Sequence, residues 1–137
     1  MSGFVLDASV TLAWCFPDEA TPETEALLDR ARAASVRVPG LWPLEVGNIL
    51  LGAQRRGRVT AAEVATLVGF LGRLRIVIDD ETGRRGLREI LSTAQLEGLT
   101  TYDASYLELA LRSGLPLATK DRALAAAARR VGFEVMP

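Results

Sequence analysis

The sequence predicts an α/β fold on a five-stranded parallel sheet with helices on both faces, from three observations. Short apolar runs alternate along the chain with segments of helical period. The runs are apolar at consecutive positions, as strands buried on both faces of a parallel sheet require. Five such runs share 137 residues, the size of one domain, with no internal repeat, low-complexity stretch or linker.

Phe4-Val5-Leu6 is the first strand, ended by a turn at Asp7-Ala8-Ser9, and Val10 to Phe16 reads as a helix stopped by Pro17. Thr21 is an N-cap with Pro22 at the first helical position and Glu23 and Glu25 in the first turn, opening a helix to about Ala34. Val36-Arg37-Val38 is the second strand. Apolar positions 41, 42, 46, 49, 50 and 53 give a helix from Leu41 to about Arg56, closed by Gly57. Thr60 and Glu63 form a capping box for a helix through about Leu71. Ile76-Val77-Ile78 is the third strand, followed by one helix from Glu81 to Leu96 that Gly98 closes. Thr101 caps a helix from Tyr102 to about Arg112, with Gly114 after it. Leu117-Ala118-Thr119 is the fourth strand, Arg122 to Val131 an Ala-rich helix, and Glu134-Val135-Met136 the last strand.

Composition excludes several classes. Apolar residues make up 49% of the chain, which argues against disorder, and aromatics only 6%, so the core is aliphatic. No apolar run approaches the roughly 20 residues of a membrane span, and a start that reaches Asp7 without a basic segment is not a signal peptide. A single cysteine, Cys15, excludes an internal disulfide and fits a cytoplasmic, reducing setting. With no histidine, a zinc site is not expected. The net charge of −1 carries no nucleic-acid signal by itself. The basic residues are nevertheless all arginine except Lys120, with clusters at Arg55-Arg56-Gly57-Arg58, Arg84-Arg85 and Arg129-Arg130. These read either as solvated helix ends or as phosphate contacts.

Ligands of open parallel sheets bind beyond the carboxyl ends of the strands, and acidic residues collect there. Asp7 ends the first strand, and Asp121 stands two residues past the fourth. Asp103 lies in the first turn of the helix before the fourth strand, and Glu45 in the first turns of the helix after the second. Singly, Asp7, Asp103 and Asp121 could be cap or first-turn residues. Glu45 is harder to dismiss, because it falls in the largely apolar stretch Leu41–Leu50, where an unpaired Glu is costly. Asn48 lies on the same helix face. Clustered carboxylates repel, by roughly 4 kcal/mol for two charges about 4 Å apart at an effective dielectric near 20. Divalent cations remove that penalty, and carboxylates without His or Cys select hard ions, Mg²⁺ or Mn²⁺.

Four segments then resemble the PIN-domain ribonucleases, specifically the VapC-type toxins of toxin–antitoxin pairs: Val5-Leu6-Asp7-Ala8-Ser9, Pro43-Leu44-Glu45-Val46-Gly47-Asn48, Thr101-Tyr102-Asp103-Ala104-Ser105-Tyr106 and Ala118-Thr119-Lys120-Asp121. Their order and spacing extend over essentially the whole chain, so that residues 1–137 make a single PIN domain. The resemblance implies that Asp7, Glu45, Asp103 and Asp121 are the catalytic, metal-binding quartet, with Ser9, Asn48 and Thr119 in support. It implies a sheet whose first and fourth strands are adjacent, and an Mg²⁺- or Mn²⁺-dependent endoribonuclease leaving a 5′-phosphate. It also implies a homodimer and a cognate antitoxin covering a groove, for which Trp14, Phe16 and Trp42 are candidate lining residues or ordinary core aromatics. Two other readings remain. A phospho-acceptor receiver domain would use Thr119 and Lys120 but wants an acidic pair where this chain has Asp7-Ala8. A non-catalytic RNA- or protein-binding module would keep the acids for structure alone.

Overall fold

The computed structural model describes residues 3–137; Met1 and Ser2, the first residues of the start read above as no signal peptide, lie outside the described residues. Five strands form one sheet: β1 (Phe4–Leu6), β2 (Val36–Val38), β3 (Ile76–Ile78), β4 (Leu117–Ala118) and β5 (Val135–Met136). Their order is β3-β2-β1-β4-β5, and every pairing is parallel. Val5 pairs with Arg37 on one side and Leu117 on the other, so β1 and β4 are neighbours at the centre as expected. The order reverses between β1 and β4, and such a switch point opens a crevice beyond the carboxyl ends of the two strands.

Phe4, Val5 and Leu6 are all fully buried. Side chains alternate along a strand, so both faces of the sheet are covered here. Helices α1 (Ala8–Cys15), α2 (Pro22–Ala33), α3 (Trp42–Arg55) and α4 (Ala61–Gly72) pack among themselves. A second packed group is α5 (Thr82–Arg85), α6 (Leu91–Glu97), α7 (Thr101–Ser113) and α8 (Arg122–Arg130). Helix α7 packs on β1 and is buried continuously from Ala104 to Ala110. No helix among the described residues is long and apolar enough to cross a membrane.

The caps at Thr21 and Thr60 form as predicted. Thr24 N–H donates to Thr21 Oγ1 at 3.1 Å, and Glu63 N–H to Thr60 Oγ1 at 3.1 Å. Gly98 and Gly114 take the left-handed conformation that ends α6 and α7, at φ 65° and 68°.

Four expectations are corrected. Helix α1 begins at Ala8 rather than Val10, because Asp7 caps it directly. Thr100, not Thr101, caps α7, since its hydroxyl reaches the N–H of Asp103 three residues on. The helix expected over 81–96 is broken: regular α geometry fails between Gly86 and Ile90, where Arg88 adopts φ −118° and ψ −105°. Gly83 and Gly86 weaken that helix, and Arg85 is tied to Glu108 on another helix. Finally, burial on both faces holds for β1 and β4 but not for β3, where Val77 and Ile78 are about half exposed. A run of apolar residues does not announce that its strand will lie at the edge.

Candidate metal centre

Asp7 and Asp121 do act as helix caps. The Asp7 carboxylate accepts from the N–H of Ala8 at 2.8 Å, and that of Asp121 from the N–H of Leu124 at 2.9 Å. Capping uses one oxygen of each. The second oxygen of Asp7 accepts from Thr119 Oγ1 at 2.6 Å and Ser9 Oγ at 2.8 Å. Thr119 Oγ1 and Ser9 Oγ in turn accept from the N–H groups of Asp121 and Lys120. Hydroxyls thus lace the turn after β1 to the turn after β4 and hold both acids at the switch point.

Glu45, in the first turn of α3, is half-buried, and Tyr106 Oη donates to its Oε1 at 2.5 Å. Tyr106 is wholly buried and sits one turn beyond Asp103 on α7, so this bond ties α3 to α7 across the site. No role for Tyr106 follows from the sequence, because its partner is 61 residues away. The Asp103 carboxylate, also half-buried, stands beside the Thr100 hydroxyl that caps α7. Asn48 lies one turn along α3 from Glu45, exposed and without a hydrogen bond among the described residues.

The electrostatics join the four acids. Burial pushes the Asp7 carboxyl up against the opposing bonds from Thr119, Ser9 and Ala8, and the charge of Asp121 adds to the rise. Burial likewise raises Glu45, with the charges of Asp7 and Asp103 adding to it and the Tyr106 bond opposing. Asp103 is raised by burial and then by the charges of Asp121 and Asp7, with a hydrogen bond from Thr100 opposing. No cationic side chain figures among these causes. The donor set is therefore carboxylate oxygen backed by hydroxyls, with uncompensated negative charge. That fits a hard divalent cation, which Asp7, Glu45, Asp103 and Asp121 could hold.

A tighter acidic group lies after β3, where Asp79, Asp80 and Glu81 place one oxygen each within 4.8 Å of one another. Its three consecutive acids directly follow the third strand. Arg112 already grips Asp79 through two bonds of 3.1 and 2.8 Å, and Arg84 and Arg85 bond Glu81. Burial would raise the Asp79 carboxyl, but the bonds from Arg112 and Thr82 and the Arg112 charge outweigh it and hold it low. Guanidinium groups stand where a cation would have to come, so this is an ion-pair network. Buried Glu108 joins it through Arg85 and Arg112.

Trp14, Phe16 and Trp42 are buried core aromatics, and Phe16 and Trp42 each also form part of the lining of a surface groove. The indole N–H of Trp14 donates to the carbonyl of Thr24 and that of Trp42 to Thr11 Oγ1.

The PIN domain model matches residues 4–130. The chain belongs to the PIN domain family. Within it, this PIN domain is of the VapC type: it is 30% identical over 121 residues to Ribonuclease VapC3 of Pyrobaculum aerophilum, covering 88% of this chain and 91% of that one. Exonuclease VapC9 of the same organism is 42% identical over 83 residues, 60% of this chain and 59% of that one. Among solved structures, PAE2754 from Pyrobaculum aerophilum superposes with a TM-score of 0.69 at 32% identity, over 93% of this chain and 87% of that one. VapBC2 from Rickettsia felis superposes with a TM-score of 0.68 at 14% identity, over 98% and 97%, and bears on the PIN fold alone.

Proposed function

We propose that this PIN domain, acting over residues 1–137 as one unit, is the endoribonuclease toxin of a toxin–antitoxin pair. In this reading it hydrolyses RNA phosphodiesters at an Mg²⁺- or Mn²⁺-binding site formed by Asp7, Glu45, Asp103 and Asp121. One observation carries the reading: at the switch point of the sheet burial, helped by the charges of neighbouring acids, raises the carboxyls of Asp7, Glu45 and Asp103, and no cationic side chain offsets the rise. A fold pays this electrostatic penalty where a ligand relieves it. The kinship with a relative named Ribonuclease VapC3 supports RNA as the substrate.

A divalent cation bound there would lower the pKa of a water and offset charge on the phosphodiester. The residues have separable tasks. Thr119 and Ser9 fix the rotamer of Asp7 and spare it from swinging into the helix cap alone. Tyr106 aims Glu45. Asp103, beside the Thr100 hydroxyl at the start of α7, would offer its carboxylate to the ion or to a proton from the attacking water. Asn48 lies close enough to Glu45 along α3 to meet the substrate. A cytoplasmic setting, a homodimer and a cognate antitoxin accompany the VapC-type reading.

The test is cleavage of a pool of tRNA and rRNA with Mg²⁺ or Mn²⁺, against EDTA and Asp7→Asn. Discrete metal-dependent fragments with 5′-phosphates, reduced at least about 100-fold by Asp7→Asn, are expected. A circular RNA separates internal from end-directed cutting, since a relative bears the name exonuclease: linearisation is expected. A folded protein that binds no divalent ion and cuts no RNA would leave the non-catalytic binding module as the better reading.

A further inference from the structure

The fold divides the arginines into those with carboxylate partners and those without. Arg58 pairs with Asp18 and Glu19, Arg32 with Asp29, and Arg84, Arg85 and Arg112 with the acids after β3 and on α7. The adjacent Arg129 and Arg130 part company: Arg130 turns to Glu97, while Arg129 has no carboxylate partner among the described residues. Arg122 has none either. Both line a groove of about 350 Å³ that also takes in Thr119, Lys120, Asp121 and Val135. Thr119 and Asp121 belong to the carboxylate site, so the groove opens directly from it.

Local structure does not account for these charges. Arg129 in the last turn of α8 suits the helix dipole, but Arg122 is the first residue of that helix, at the end where a cation is disfavoured. Arg122, Ala125 and Arg129 share one face of α8 at spacings of three and seven. The two guanidinium stems are separated by about 10.5 Å along the axis, too far to serve one phosphate and suited to two along a strand. Between them Ala125 offers no bulk, and Lys120 adds a charge bonded, among the described residues, only to the carbonyl of Glu19.

We propose that this groove is the track for the phosphate backbone of single-stranded RNA beside the scissile bond, with Arg122 and Arg129 as its phosphate contacts. The proposal rests on the nuclease reading above and adds where the strand lies. The groove reads charge rather than bases, so its contribution is alike for all sequences.

The test compares the natural protein with Arg122→Ala/Arg129→Ala and Arg122→Lys/Arg129→Lys. Three readouts are taken: cleavage of long RNA, hydrolysis of the small ester bis(p-nitrophenyl) phosphate, and binding of a fluorescent oligouridylate with Ca²⁺ in place of the catalytic ion. The alanine pair should raise KM for RNA roughly tenfold at low salt. It should leave kcat within about twofold and small-ester hydrolysis unchanged. The slope of log affinity against log salt should fall by about 1.4, or 0.7 for each phosphate no longer neutralised, and the lysine pair should recover most of both effects. An alanine pair that melts normally yet keeps its KM, oligouridylate affinity and salt slope overturns the track. If the natural protein cleaves nothing, the nuclease reading fails, and oligouridylate binding still decides on the groove.

Discussion

Asp7 and Asp79 each follow a strand at the carboxyl edge of one sheet, yet their surroundings are opposite. Arg112 holds Asp79 through two hydrogen bonds, and Thr82 adds a third. Asp7 is met by two hydroxyls, a backbone N–H and the charge of another acid. Both groups concentrate carboxylates, but one holds its counter-charge within the fold and the other leaves it to be supplied from outside. Crowding of acids alone therefore does not mark a metal site. By distance the Asp79 group is the tighter cluster, and it is the one whose oxygens are already taken.

The contrast is sharpest in stability. Arg112→Ala should cost roughly 2–3 kcal/mol, since it strips the counter-charge from the nearly buried side chains of Asp79 and Glu108. The figure sits below that of a fully buried pair because the guanidinium is itself 20% exposed. Urea unfolding would check it. Asp7→Asn should leave stability unchanged or raise it, because it removes one of several repelling charges. A strongly destabilised Asp7→Asn would mean that the hydroxyl lacing, not charge, governs that acid.

How much of this is legible in the sequence depends on the range of each interaction. Asp7 and Asp121 can be read because strand ends and caps are local features, and Glu45 because its neighbours are apolar. The adjacency of β1 and β4 comes from the family resemblance and is borne out by the pairing of Val5 with Leu117. The Arg112–Asp79 and Tyr106–Glu45 contacts join residues 33 and 61 positions apart. No local period encodes them. The break after Arg85 is hidden likewise, because it involves the tether to Glu108 on α7. Arg129 and Arg130 look alike in sequence and differ only in where α8 points them.

Acidity should divide the two groups next. Asp7, Glu45 and Asp103 have raised folded pKa values, so the folded state binds more protons than the unfolded one. Their contribution favours the folded state below the ordinary carboxylate range and is lost as pH rises through the raised values. Asp79 has a lowered value, and its contribution is present above the ordinary range and lost as pH falls through the folded one. Melts of the metal-free protein in EDTA should therefore show stability falling between about pH 4 and neutrality. That decline should flatten in Asp7→Asn. Saturating Mn²⁺ should reverse it, adding about 2.7 kcal/mol at a hundredfold excess over Kd. A metal-free melting temperature that rises steadily over that range would show that the Asp79 network outweighs the quartet.

The smallest effect expected is at Tyr106. Tyr106→Phe keeps the buried ring and removes only the hydroxyl that donates to Glu45, so stability should drop by about 1 kcal/mol. The hydrogen bond opposes the rise in the Glu45 proton affinity. Without it the carboxyl should ionise at higher pH, and the acid limb of the cleavage profile should move up with it. Tighter protonation also weakens competition by a cation, so the Mn²⁺ concentration for half-maximal activity should rise most at the acidic end and converge with that of the natural protein as pH increases. A uniform loss across pH would instead mean that the hydroxyl positions Glu45 without altering its ionisation.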